Sequence, residues 1–142
     1  MYLIDTNVIS EMRKSGRANA GVRAFFERAD EDGHQLYLSV VTVGELRRGV
    51  DLIRHRGDGQ HAQLLERWLN TLIDKFSSRI LEIGTDVAQA WGHLRVPHPE
   101  HALDKLIAAT ALIYNLTVVT RNVADFDGSG ARVFNPFQLA NA

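Results

Sequence analysis

The sequence predicts an α/β fold: a three-layer α/β/α sandwich around a mainly parallel central sheet of about four to five strands with right-handed crossovers. Three observations predict it. Short apolar runs alternate along the chain with longer stretches of helical periodicity. The runs Tyr2-Leu3-Ile4 and Thr117-Val118-Val119-Thr120 lack polar alternation, as strands covered on both faces do. No internal repeat, low-complexity tract or long linker divides the 142 residues, a length that suits one domain over residues 1–142 with one core.

The elements follow in order. Tyr2 to Ile4 forms the first strand and ends at an acid, Asp5. Val8 to Lys14 reads as a short helix broken near Gly16. Asn19 to Asp30 reads as a second helix, with Val22, Phe25 and Phe26 on its apolar side; the polar cluster from Asp30 to Gly33 ends it. Gln35 to Val40 supplies the second strand. From Val41, the residues Val43, Leu46, Val50 and Ile53 form a helical stripe. A loop at 56–59 precedes an amphipathic helix over Gln60 to Phe76. Ile80 to Ile83 suits a third strand, and Thr85 suits the cap of a helix running to about Leu94. Pro97 and Pro99 mark a turn. Ala102 to Tyr114 is a helix rich in Ala, Leu and Ile. Thr117 to Thr120 is a buried strand, 122–130 a polar loop, and Arg132 to Phe134 a last short strand.

Composition narrows the function. The apolar fraction is 45%, ordinary for a soluble globular protein. No apolar run approaches the ~20 residues of a membrane span. The N-terminus lacks a basic n-region, and Asp5 interrupts its apolar run, unlike a signal peptide. With no cysteine there is no disulfide framework, thiolate zinc site or Cys nucleophile, which fits a reducing cytoplasm. A net charge of −1 lacks the basic footprint usual in nucleic-acid binders, so phosphate contacts need local clusters. Arg13, Lys14 and Arg17 make one cluster; Arg47, Arg48, Arg54 and Arg56 make another. Either also suits a solvated helix face.

In parallel α/β sheets, ligands bind outside the carboxyl ends of the strands. Four acids lie at such places, and each also has a plain structural use. Asp5 ends the first strand and suits the N-cap of the next helix. Glu45 follows the second strand, where Thr42-Val43-Gly44-Glu45 fits a capping box. Asp104 lies in the first turns of its helix, where the dipole favours an acid. It shares one face with Ile107, Ala108 and Ala111, so its carboxylate is carried toward the interior edge, where an unpaired charge is costly. Asp125 follows the Thr117–Thr120 strand and suits a turn. Together the four form a candidate site. Clustered carboxylates repel one another, and a hard divalent cation resolves that repulsion with oxygen ligands alone. Such an ion lowers the pKa of bound water and stabilises charge on a phosphoryl oxygen. The chemistry indicated is attack by water on a phosphodiester.

At these residues the chain resembles the PIN-domain ribonucleases, and within them the VapC toxins of bacterial toxin–antitoxin pairs. Tyr2-Leu3-Ile4-Asp5-Thr6-Asn7 resembles the family's opening strand and first acid. Residues 39–46, SVVTVGEL, resemble the second-acid segment, and residues 104–111, DKLIAATA, the third. Residues 116–126, LTVVTRNVADF, resemble the strand and loop carrying the fourth, and Val133-Phe134-Asn135-Pro136-Phe137 resembles the family's ending. The resemblance implies a metal-dependent endoribonuclease in which Asp5 and Asp104 are the main ligands of Mg²⁺ (or Mn²⁺). Glu45 and Asp125 complete the pocket, directly or through water, and Asn7 and Thr120 support the acids. It also implies a cognate antitoxin as partner, and a homodimer or a hetero-oligomer with that antitoxin. Asp127 makes the fourth position ambiguous; Asn122 and Phe126 frame Asp125 as in the family.

Other constellations carry less. His98 and His101 are three apart, as zinc ligands can be, but prolines break helical presentation and no third ligand is near in sequence; a solvated loop is the simpler reading. His34, His55, His61 and His93 are scattered. Metal-free ribonucleases commonly need an acid and a base for attack by the 2′-hydroxyl. No histidine pair suited to that role is evident, which favours hydrolysis leaving a 5′-phosphate. Trp68 and Trp91 suit a core or interface better than base stacking. Arg121 lies beside the pocket and suits either an RNA phosphate or an ion pair with an acid. Two rival functions remain. One is an aspartyl phosphotransferase with Asp5 as nucleophile, although such sites place a second acid where Asn7 stands. The other is a non-catalytic module that binds a partner.

Overall fold

The strands are β1 (Tyr2–Ile4), β2 (Leu36–Ser39), β3 (Ile80–Leu81), β4 (Thr117–Val119) and β5 (Val133–Phe134) in a computed structural model that describes the backbone of residues 1–141 and the side chains of residues 1–138. They form one sheet in the order β3-β2-β1-β4-β5, and every pairing is parallel. The first strand is therefore the central one. Tyr2 pairs with Leu36 on one side and with Thr117 on the other.

Side-chain alternation sends the sheet's apolar residues to two cores. Ile4, Leu38 and Val119 point to one face, where they meet Val8, Val22, Leu46 and Leu69. Leu3 and Val118 point to the other and meet Ile107, Ala108 and Ala111. The first core is covered by α1 (Thr6–Met12), α2 (Ala20–Glu31), α3 (Val40–His55) and α4 (Gly59–Lys75). The second is covered by α5 (Thr85–Leu94) and α6 (Ala102–Tyr114). The expected three layers are present. Covering both faces explains why β1 and β4 read as unbroken apolar runs. Leu69 is fully buried in the larger core, a contribution of about 1.5–3 kcal/mol from removal of its side chain from water.

The strand order creates the crevice. From β1 the chain steps outward through β2 to β3, then crosses back to place β4 on the far side of β1. Loops leaving β1 and β4 thus diverge in opposite directions, which opens a cleft at their carboxyl ends. Asp5 follows β1 immediately, and its backbone N–H donates to the Val119 carbonyl at 2.9 Å.

Several local expectations need correction. The capping box at Thr42–Glu45 does not form. The helix starts earlier, at Val40, with Ser39 as N-cap accepting from the Val41 N–H at 3.1 Å. Ser39 wins because it ends β2 in extended backbone, the conformation an N-cap requires. Likewise Gly84, not Thr85, precedes the α5 helix, and Thr85 is its first residue. The third strand is limited to Ile80 and Leu81. The polar segment after β4 contains a 3₁₀ turn over Val123–Phe126, anchored by the buried Phe126 ring. The cluster on α3 is partly engaged: Glu66 of α4 accepts from Arg47 at 2.6 Å and Arg54 at 3.1 Å. No described helix is long and apolar enough to cross a membrane.

Candidate metal centre

Asp5 is the most enclosed acid of the site, 5% exposed at the end of the central strand. It is also the N-cap of α1, as its position suggested: Oδ1 accepts from the Thr6 N–H at 2.8 Å. Oδ2 faces β4 and accepts from the Thr120 hydroxyl at 2.9 Å and from Asn7 Nδ2 at 3.4 Å. Cap and site residue are therefore one arrangement, with one oxygen serving the helix and the other turned to the neighbouring strand.

Asn7 and Thr120 tie the two loops together. Asn7 Nδ2 donates to Thr120 Oγ1 at 3.2 Å, and Asn7 Oδ1 accepts from the Arg121 N–H at 3.0 Å. Thr120 Oγ1 also accepts from the Asn122 N–H at 3.1 Å. Thr120 is fully buried, and its bond to Asp5 is made away from bulk water, whereas the Asn7–Arg121 bond is exposed. Among the described residues no buried side-chain polar atom lacks a partner.

Glu45 enters from α3. Its Oε1 accepts from the Thr6 hydroxyl at 3.1 Å, and that hydroxyl lies 3.3 Å from the buried Thr42 hydroxyl. Thr6 and Thr42 are thus positioning residues that sequence reasoning did not single out. Thr42 lies three residues before Glu45, on the same helix face; that spacing was read only as a cap.

Asp104 and Asp125 close the other side. Asp104 is in the first turn of α6, half-buried, and Asp125 is in the 3₁₀ turn after β4. Burial pushes the Asp5 carboxyl above the usual range; the Asp125 charge adds to this, while hydrogen bonds from Thr6, Thr120 and Asn7 oppose it. Burial also raises Asp104, and Asp5, Asp125 and Glu45 raise it further by repulsion, against a lowering influence from His101. The other three acids therefore lie within electrostatic reach of Asp104.

The ligand atoms of His101, Asp104 and Asp125 lie within 4.8 Å of one another. Asp5 and Glu45 are not members of that tighter group. His101 is a residue the sequence reading set aside. Its partner was sought in His98, but His98 turns to Glu100, at 3.5 Å, and its carbonyl accepts from Lys105. The available signal was the three-residue step from His101 to Asp104, which brings the imidazole to the start of the same helix. Asp127, the rival to Asp125, is outside the group and lines a cleft of about 260 Å³ with Asp104, Lys105, Asp125 and Ser129. The donor set of carboxylates with one imidazole fits a hard or borderline divalent cation such as Mg²⁺ or Mn²⁺.

Arg121 packs on an aromatic ring and its charge also helps lower the Glu11 carboxyl. Its guanidinium lies over the Phe137 ring, 4.7 Å from the centroid. Trp91 is a strut: its Nε1 donates to the Ala102 carbonyl at 2.8 Å and so holds α5 against the start of α6, near Asp104. Trp68 lines a larger cleft of about 650 Å³ between α1, α2 and α4, and none of the four acids lines it.

Known proteins repeat this arrangement of the chain. A sequence profile described as PIN domain matches residues 2–127. Toxin FitB of Neisseria gonorrhoeae is 36% identical over 143 residues, covering 96% of this chain and 99% of that protein. VapC ribonuclease Y4jK of Sinorhizobium fredii is 28% identical over 146 residues, covering 99% and 100%. The crystal structure of FitAcB from Neisseria gonorrhoeae superposes with a TM-score of 0.82 at 36% identity, covering 98% of this chain and all of that one. The profile and the relatives span nearly the whole sequence: the chain belongs to the PIN-domain family.

Proposed function

We propose that the protein is a divalent-metal-dependent endoribonuclease that acts in the cytoplasm as the toxin of a toxin–antitoxin pair. The supporting observation is the position of Asp104. It is half-buried and repelled by Asp5, Asp125 and Glu45, an arrangement unfavourable by itself and favourable around a cation. The relatives named as a toxin and as a ribonuclease support the substrate class and the biological role.

In this reading Asp5 and Asp104 are the principal ligands of Mg²⁺ or Mn²⁺, with Glu45 and Asp125 contributing directly or through water. When bound, the ion favours deprotonation of water and offsets charge on a phosphoryl oxygen. The residues of the chain set the geometry. Thr120 and Asn7 hold Asp5 in one rotamer, and Thr6 holds Glu45 toward it. Asp125 adds negative charge beside Asp104, which keeps the site selective for cations. Water attack then breaks the bond to the 3′-oxygen and leaves a 5′-phosphate. A cognate antitoxin covers the pocket, and the toxin forms a homodimer or a hetero-oligomer with it.

The hydrogen bonds at Asp5 speak against the phosphotransferase alternative. Each carboxylate oxygen already accepts a hydrogen bond, so the oxygen that takes phosphorus would lose acceptor strength toward its donor, whereas a cation leaves both oxygens anionic. The test is incubation of the purified protein with cellular RNA, with Mg²⁺ and with EDTA. Cleavage with Mg²⁺ that EDTA stops, and that Asp5→Ala and Asp104→Ala both abolish, is expected. Cleavage by either variant at the parent rate refutes the assignment. A stable phosphoenzyme favours the phosphotransferase, and absence of any cleavage favours the binding module.

A further inference from the structure

We infer that His101 is a nitrogen ligand of the metal centre and makes this chain prefer Mn²⁺ to Mg²⁺. The inference deepens the proposed function and rests on its metal-dependent pocket. Its carrying observation is the grouping of the His101, Asp104 and Asp125 ligand atoms within 4.8 Å. His101 Nδ1 lies 3.9 Å from Asp104 Oδ2. Two ligands each about 2.1 Å from one ion are separated by about 3 Å at a right angle and about 4.2 Å when opposed. The His101–Asp104 separation is already inside that interval. The Asp125 ligand atom lies within 4.8 Å of both, and rotamer adjustment of the exposed His101 and Asp125 side chains brings the three into that interval.

The backbone is consistent with this role. His101 is the residue just before α6, with φ 55° and ψ 45°, in the left-handed region. That conformation is unfavourable for a residue with a side chain, although His enters it more readily than most. Its side chain is 63% exposed, so burial does not hold the imidazole against the acid. The neighbouring His98 lines the cleft beside Asp104 and Asp125, but its imidazole lies 3.5 Å from Glu100 and is not in the group.

The chemistry of the donor sets the preference. Mg²⁺ takes oxygen ligands and holds its waters strongly, and so gains little from an imidazole. Borderline transition metals gain more, and affinity for a nitrogen donor rises along the first-row series from Mn²⁺. A pocket of four carboxylates alone would not separate Mg²⁺ from Mn²⁺ in this way. The imidazole adds a nitrogen donor that Mn²⁺ accepts more readily than Mg²⁺ does.

The test loads the full-length protein with Mn²⁺ alone and measures ligand-nitrogen hyperfine coupling by pulsed electron paramagnetic resonance. Mn²⁺ and Mg²⁺ affinities are measured in parallel by calorimetry. His101→Gly is the main variant, because Gly accepts the left-handed conformation and retains the helix start; His101→Asn is the second. Thermal melts show that both fold. The parent should show nitrogen coupling that both variants lose. His101→Gly should weaken Mn²⁺ binding by about tenfold while Mg²⁺ binding changes by less than about threefold. Mn²⁺ that binds, is lost in Asp104→Asn, and shows no nitrogen coupling overturns the role of His101 and leaves the carboxylate centre standing. No binding of either metal overturns both readings.

Discussion

The Thr120 hydroxyl donates to Asp5 Oδ2 at 2.9 Å across a separation of 115 residues. This one contact joins the ends of the central strand and its neighbour β4, and it orients the acid on which the proposed chemistry depends. Because Thr120 is fully buried, removing its hydroxyl leaves Asp5 Oδ2 with only the longer bond from Asn7. Thr120→Val should destabilise the fold by about 1–3 kcal/mol, and Thr120→Ser by less. Urea melts measure the difference. Cleavage should fall in the Val variant and return in the Ser variant; equal activity in parent and Val would show that Asp5 is oriented without Thr120.

Asp104 carries a stability cost with a definite sign. Its folded-state pKa lies above 3.8, so the folded protein binds more protons than the unfolded chain between that value and the raised one. Stability of the metal-free protein therefore falls as pH rises through this window and stays lowered above it. Asp104→Asn lacks the penalty and should melt at a higher temperature than the parent at neutral pH without metal. The advantage should vanish below pH 3.8. A variant that melts lower at neutral pH contradicts the repulsion described for this pocket.

Metal removal gives the complementary result. A ligand that binds only the folded state stabilises it by about 2.7 kcal/mol at a hundredfold excess over Kd. Mg²⁺ and Mn²⁺ should each raise the melting temperature by several degrees, and EDTA should reverse the shift. Asp104→Asn should lose most of it. Parent protein whose melting curve ignores saturating metal would count against a preformed centre.

Ser39 and Glu45 separate helix capping from site chemistry. The Ser39 hydroxyl caps α3, so Ser39→Ala should lower stability by about 1 kcal/mol. Glu45 is not part of a capping box, and Glu45→Gln keeps the oxygen that Thr6 meets. That variant should hold stability within about 0.5 kcal/mol of the parent and lose cleavage activity. Paired melts and RNA cleavage assays check both, and a large stability loss in Glu45→Gln would restore the capping reading.

Much of the architecture was legible locally. Burial of a strand on both faces leaves an unbroken apolar run, so Tyr2–Ile4 and Thr117–Val119 announced a parallel sheet between helices. The core stripe Leu46–Val50 announced its helix by spacing alone. Helix starts were less legible. Thr42 and Glu45 satisfy the capping pattern, but Ser39 has the extended backbone that a cap needs. That conformation follows from pairing β2 with its neighbours, which the spacing of residues does not report.

The order of residues along the chain determined the layers, the strand sites and the four acids placed at element ends, because periodicity and propensity act over a few residues. Only the folded arrangement decided that Asp5 meets Thr120, that Thr6 holds Glu45, that Asp125 rather than Asp127 joins Asp104, and that His101 stands with them. The reason is physical. Those contacts depend on β1 lying between β2 and β4, and that order is set by burying two apolar faces at once, a condition on the whole molecule.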